Sequence, residues 1–397
     1  MTSATVWLNI RLRKNLSPCM TKNSVHQGRR HPTLAKRLGV FVASASLTLL
    51  MIEGIFRLFG IEAEYHTPYY DRIYAPVGQP AERVPYAFVP NSIIRSTYDS
   101  NPRGYFDDGN GIEHNFNNAG WRDVDHTVEK PVGTYRILGL GDSYLFGQGV
   151  RYEHVCLSRL EKILDRNSSD SQIETINMGL RSLNTAQECE ILKHRGLDYK
   201  PDAVILHFVL NDVERSSELF LQRPKIEFTE EYVRLYNQPD AFSNYGQLWG
   251  WARQRYQKGL TARAHIRDCL LSFEADDGKW LQCRQAITEI HEICVDNKIP
   301  LLVVIFPFFH ELDGDYPFQS IHNIVRKFCE SSNIHVLDLR EQYRTFHGPE
   351  LWVHPTDQHP NEIAHDIAAR AMAEYLLAHS DDFTLTPMNA SIPTTSD

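Results

Sequence analysis

Four short polar blocks in this chain carry the residue types needed for acyl chemistry. Gly141-Asp142-Ser143 follows the apolar run Tyr135-Arg136-Ile137-Leu138-Gly139-Leu140, and Asn177-Met178-Gly179 follows a second run. Val209-Leu210-Asn211-Asp212 ends a third, and Asp357-Gln358-His359-Pro360-Asn361 opens the last long apolar segment. A serine hydroxyl is a weak nucleophile at neutral pH and needs an adjacent base, commonly a histidine whose tautomer a carboxylate fixes. Ser143 and His359 suit that pair, and Asp357, placed just before His359, suits the carboxylate. The order Ser, Asp, His is that of α/β serine hydrolases, although G-x-S-x-G is absent here.

Such residues act together only if strands gather them. Runs at 135–140, 173–178, 202–209, 300–306 and 334–338 are apolar and rich in β-branched residues, with helical patterns between them. Lys200-Pro201-Asp202 gives the third run a sharp start, because proline bars helix continuation. Asn361 suits the N-cap of a helix reaching Leu377, with Glu362 in its first turn. This alternation predicts a parallel α/β sheet, with the polar blocks gathered at the carboxyl ends of its strands.

With these blocks in this order, the stretch from about Arg136 to Leu377 resembles the SGNH (GDSL-type) hydrolase family. The resemblance implies a flavodoxin-like, three-layer α/β/α domain with a parallel five-stranded sheet. Its four signature residues would be Ser143, Gly179, Asn211 and His359, with Asp357 completing a Ser-His-Asp triad; the family more often sets Asp and His three apart. The oxyanion hole would be formed by the Ser143 and Gly179 backbone N–H groups and the Asn211 side-chain amide. No cofactor and no metal is implied. Asn117-Asn118-Ala119-Gly120-Trp121-Arg122-Asp123 resembles a lead-in of membrane-anchored members, and such members act on acetyl groups of cell-surface polysaccharides. The expected activity is therefore esterase action on short-chain acyl esters, O-acetyl above all, of a small molecule or surface glycan. Lipid or thioester acyl hydrolysis, or acyl transfer, is the alternative on the same fold. A non-catalytic carbohydrate-binding or assembly protein is the alternative of another class, and the presence of all four blocks argues against it.

The remaining features concern location. A net charge of −9 over 397 residues argues against a nucleic-acid binder. Arg11, Arg13, Lys14, Lys22, Arg29, Arg30, Lys36 and Arg37 precede the apolar run Leu38 to Phe59. About 20 residues suffice to cross a bilayer core, and Glu53 and Arg57 stand near the far end where they can snorkel or pair. Cleavage at Ala43-Ser44-Ala45 would leave only Leu38 to Val42 as an apolar region, less than the ~7–15 residues a signal peptide uses. The run therefore reads as an uncleaved single-pass anchor, with the basic N-terminus cytoplasmic and the catalytic region outside.

The expected organisation is a basic cytoplasmic segment 1–37, an anchor 38–59, a linker and lead-in 60–132, the catalytic domain 133–380 and a disordered tail 381–397. The catalytic domain holds an insertion at about 213–277, whose Tyr232, Tyr236, Tyr245, Trp249, Trp251 and Tyr256 suit a small core of its own or a platform for sugars. His354, Asp357, His359 and His365 offer a metal-ligand set as a competing reading, but His359 and His365 would lie on different faces of one helix. Cys269 and Cys283 could staple the insertion, or remain small buried residues.

Overall fold

The computed structural model describes residues 33–60, 70–73, 88–167, 172–213, 246–274 and 278–385. The chain divides into two units, Met1–Ile61 and Glu62–Asp397. In the first, helix α1 spans Leu34–Phe59 and ends on Gly60 in the left-handed conformation. Its 26 residues extend about 39 Å at 1.5 Å per residue, none of them is buried, and it is long and apolar enough to cross a membrane. Arg57 Nε donates to Glu53 Oε1 at 2.7 Å, one turn away, so the two charges near its end neutralise each other.

The second unit opens with a small antiparallel sheet of β1 (Tyr70–Ile73), β2 (Ile93–Thr97) and β3 (Gly111–Asn115). The main sheet contains β4 (Thr134–Gly141), β5 (Gln172–Asn177), β6 (Ala203–Val209), β7 (Leu301–Phe306) and β8 (His335–Asp338). These five run parallel in the order β5-β4-β6-β7-β8, the doubly wound order of flavodoxin-like folds. Every residue of β6 and β7 is buried, as required of central parallel strands covered on both faces, which is why these strands read as apolar runs broken only by His207.

Helices cover the two faces. On one, α3 (Cys156–Asn167) lies against the long C-terminal helix Glu362–Ala378, where buried Ala364, Ala368 and Ala371 allow close approach and Arg159 pairs with Asp366. On the other, α4 (Thr185–Ile191) meets α6 (Lys279–Asp296) through Cys283 and Thr185, and Trp280 of α6 packs edge-on against Phe328 of α7 (Gln319–Ser331). This segregation is what right-handed crossovers produce from that strand order. Asn361 caps the C-terminal helix as its sequence predicts, its side chain accepting from the Ile363 and Ala364 N–H groups.

The structure bears on three further expectations. Residues 214–245 lie outside the described residues, with Tyr232, Tyr236 and Tyr245 among them; in the described part of the insertion Gln247–Glu274 forms one 28-residue helix, α5. Trp249 and Tyr256 on it are exposed, Arg255 stacks over Trp251, and the helix is secured through buried Cys269 and Phe273 to the domain core. The six cysteines among the described residues are all free and buried, so Cys269 and Cys283 form no staple. The domain also runs past 380, for Phe383 is fully buried and its carbonyl accepts from the Tyr135 hydroxyl.

Candidate active site

At the carboxyl end of β4 the chain turns into a one-turn helix, α2 (Ser143–Phe146). Asp142 caps it, its fully buried carboxylate accepting the Tyr144 N–H at 2.8 Å. Gly147 ends it at φ +76°, a conformation glycine adopts without strain, and a Cβ there would strike Val155. Ser143 thus occupies the first helical position, where its N–H has no acceptor within the helix and its hydroxyl points out of the turn.

A second element approaches from the far end of the chain. Strands β9 (Trp352–His354) and β10 (Asp357–Pro360) pair antiparallel, with Asp357 opposite His354. Asp357 and His359 therefore lie together on a short strand. The pairing is irregular between Asp357 and Pro360, and there Asp357 Oδ1 accepts the His359 N–H at 3.2 Å, an Asx-turn contact that keeps the two side chains together. His359 Nε2 lies 2.8 Å from Ser143 Oγ, and its Nδ1 meets Asp357 Oδ1. The side chain of Asp357 is 1% exposed and that of His359 23%, so the acid is walled in while the base stays within reach of a substrate.

The charges agree with this contact. Burial opposes a charged imidazole, but the Asp357 carboxylate, helped by Asp142, outweighs it and raises the His359 pKa above the ordinary histidine value. Burial likewise opposes the Asp357 carboxylate, yet His359 and the Tyr98 hydroxyl hold its pKa below the ordinary value. Asp142 differs: burial raises its pKa despite the Tyr144 N–H, His359 and Asn211.

Asn211 stands at the end of β6, where its Nδ2 donates to Asp142 Oδ2 at 3.2 Å. An amide carries two N–H donors, so this bond orients the group and leaves the second donor for another acceptor. Asp212 secures the same turn, its Oδ2 accepting the Val209 N–H at 2.8 Å.

Gly179 is brought beside the serine turn. Its N–H donates to Asn177 Oδ1 at 2.9 Å within its own turn. The reason for glycine here is steric: a Cβ would lie 2.6 Å from the Phe146 backbone nitrogen. Glycine at this position thus lets the turn pack beneath α2.

The histidines of the competing metal reading disperse. His354 faces Ser100 and Thr356, and His365 Nδ1 accepts the Cys156 N–H at 3.2 Å in the core. No group of three or more His, Cys, Asp or Glu side chains with metal-holding geometry occurs among the described residues.

The lead-in contributes more than sequence patterns revealed. Arg122, fully buried, donates to the Phe146, Gly147 and Val150 carbonyls and so satisfies the orphan acceptors at the end of α2. Asp123 Oδ2 accepts the Asn177 N–H at 2.6 Å, and Tyr98 donates its hydroxyl to Asp357 Oδ2 at 2.7 Å. Arg122 and Asp123 stood in a recognisable motif, whereas nothing local marked Tyr98.

A search of curated protein sequences finds no match. Among solved structures, the lipase/acylhydrolase from Enterococcus faecalis is 15% identical, with 64% of this chain and 100% of that chain covered and a TM-score of 0.37. A catalytic mutant of an acetylxylan esterase from Geobacillus stearothermophilus is 15% identical over 62% of this chain and 95% of that one, at a TM-score of 0.38. A two-domain esterase active on acetylated mannans is also 15% identical, over 66% of this chain and 53% of that one, at 0.37. The sequence model of the GDSL-like lipase/acylhydrolase family matches residues 140–367, from the end of β4 into the C-terminal helix. The chain is thus a member of the GDSL-like lipase/acylhydrolase family, an enzyme of the SGNH hydrolase class.

Proposed function

We propose that this protein is a membrane-tethered serine esterase that removes short acyl groups, O-acetyl above all, from a cell-surface glycan. The observation that carries the reading is the Ser143–His359–Asp357 line, with Nε2 2.8 Å from Oγ and the carboxylate behind the ring. Ser143 Oγ attacks the acyl carbonyl while His359 Nε2 takes its proton, and Asp357 stabilises the imidazolium that forms. The tetrahedral oxyanion accepts from the Ser143 N–H and the second N–H of Asn211 Nδ2. Collapse breaks the ester C–O bond, and His359 returns the proton to the departing sugar oxygen. Water, deprotonated by the same histidine, then releases the acid and restores Ser143.

The surface substrate rests on the anchor. In this reading residues 38–59 span the membrane, 1–37 stay in the cytoplasm, 60–132 form the lead-in, and the domain from 133 faces outward with its insertion at 213–277. A tethered enzyme meets polymeric esters at that surface.

A panel of esters graded by acyl length, run on the wild type and Ser143→Ala, tests the proposal. Acetyl esters should be the best substrates, and the variant should lose turnover by up to about 10⁶ while melting like the wild type. A preference for long acyl chains would replace the glycan ester with a lipid. Undiminished hydrolysis by folded Ser143→Ala would remove the serine mechanism.

A further inference from the structure

We infer that Tyr98 is a positioning residue of the active site: its hydroxyl holds Asp357 so that the other carboxylate oxygen faces His359. This rests on the Ser143–His359–Asp357 reading and extends the machinery beyond residues 140–367, where the family match lies.

Asp357 has two oxygens to satisfy in a buried place. Oδ1 takes His359 Nδ1 and the His359 backbone N–H, and Oδ2 takes the Tyr98 hydroxyl at 2.7 Å from 259 residues away. A carboxylate bonded on one oxygen alone can turn about its Cβ–Cγ bond, and buried acceptors left without donors are costly. The Tyr98 hydroxyl fixes that plane.

Tyr98 is itself held tightly. Its ring is buried and stacks on Phe106 with centroids 4.4 Å apart and planes 1° from parallel. Gly149, at φ +71°, leaves the space the hydroxyl occupies, for a Cβ there would lie 2.6 Å from Tyr98 Oη.

The neighbouring residues of the same segment hold the strand pair that carries the acid. His354, opposite Asp357 in that pair, has Nε2 2.9 Å from Ser100 Oγ and 3.1 Å from Asp99 Oδ1. Arg103 donates to the Trp352 carbonyl at 3.3 Å and pairs with Glu362 just beyond. One stretch of the lead-in, Tyr98 to Arg103, thus grips β9, β10 and the start of the C-terminal helix.

The hydroxyl also sets how much of the carboxylate's charge the imidazole feels. The charged groups acting on His359 are Asp357 and Asp142, which favour its protonated form, and Arg181, which opposes it. A donor on Oδ2 takes up part of the Asp357 charge. Without it, the imidazolium must supply more of that stabilisation, and His359 becomes more basic.

Tyr98→Phe removes only the oxygen and keeps the stacked ring. It should lower kcat about tenfold, as expected for loss of a hydrogen bond to a charged group, with KM changed less than about twofold. The acid limb of the kcat/KM profile should move up by about half a pH unit. In an Asp357→Asn background the same change should cause no further loss, because the partner oxygen's charge is gone. Tyr105→Phe is the control: its hydroxyl meets His154 Nδ1 at 2.8 Å and the Arg151 N–H at 3.0 Å, and it should leave kcat and the limb unchanged. A folded Tyr98→Phe enzyme with wild-type kcat and an unmoved limb would overturn the inference while leaving the triad intact. An equal loss in both tyrosine variants without a limb shift would reduce Tyr98 to general packing, and activity surviving in Ser143→Ala would instead remove the underlying reading.

Discussion

At the scale of single residues, the account turns on which hydrogen-bonding groups are already engaged. The Gly179 N–H is taken by Asn177, whereas Asn211 has given one amide hydrogen to Asp142 and keeps the other. The oxyanion exists only after attack, so Asn211→Ala should lower kcat by about 10²–10³ with a smaller effect on KM. Steady-state kinetics on one soluble ester separates the two parameters, and a change confined to KM would deny Asn211 that role. The raised pKa of His359 has a consequence of definite sign. The base works only when neutral, so activity should fall with decreasing pH through a midpoint above the ordinary ~6.5 of histidine. A kcat/KM profile with its acid limb below that value would contradict the Asp357–His359 coupling.

At the scale of elements, turns and strands position the chemistry. Glycine at 179 lets the turn after β5 lie against the backbone of α2. Gly179→Ala should therefore destabilise the fold by about 1–3 kcal/mol, the usual cost of overpacking, visible as a lower melting temperature. An unchanged melting curve would mean that this packing is looser than the 2.6 Å approach implies. Much of this layer was legible in the sequence. The five sheet strands fall within a residue or so of their apolar runs, because buried parallel strands admit almost nothing else. Ser143, Asn211 and His359 were legible because each sits beside the element that presents it. The contact of the Gly179 N–H with Asn177 was not legible, since a sequence names a backbone N–H but not its acceptor. Tyr98 was invisible because its contact with Asp357 spans most of the chain and no local pattern encodes it. Helix α5 was obscured by its scattered aromatics, Trp249 and Tyr256 being exposed where a core reading needed them inside.

At the scale of the whole molecule, the anchor and the enzyme make separate claims. Basic residues crowd one side of α1 and are sparse just after it, and on this asymmetry rests the proposed orientation, with the N-terminus in the cytoplasm and the catalytic domain outside. Reporter fusions at the C-terminus should be active only where the reporter works outside the cytoplasm, and the protein should resist carbonate extraction. Cytoplasmic reporter activity would relocate the substrate without touching the chemistry. The central claim, that Ser143 is the nucleophile, is tested most directly by treating the full-length protein with a fluorophosphonate and mapping the adduct by mass spectrometry. The account predicts one covalent adduct, on Ser143, lost in Ser143→Ala and weakened in His359→Ala; no adduct on active wild-type enzyme, or an adduct at another residue, would contradict it.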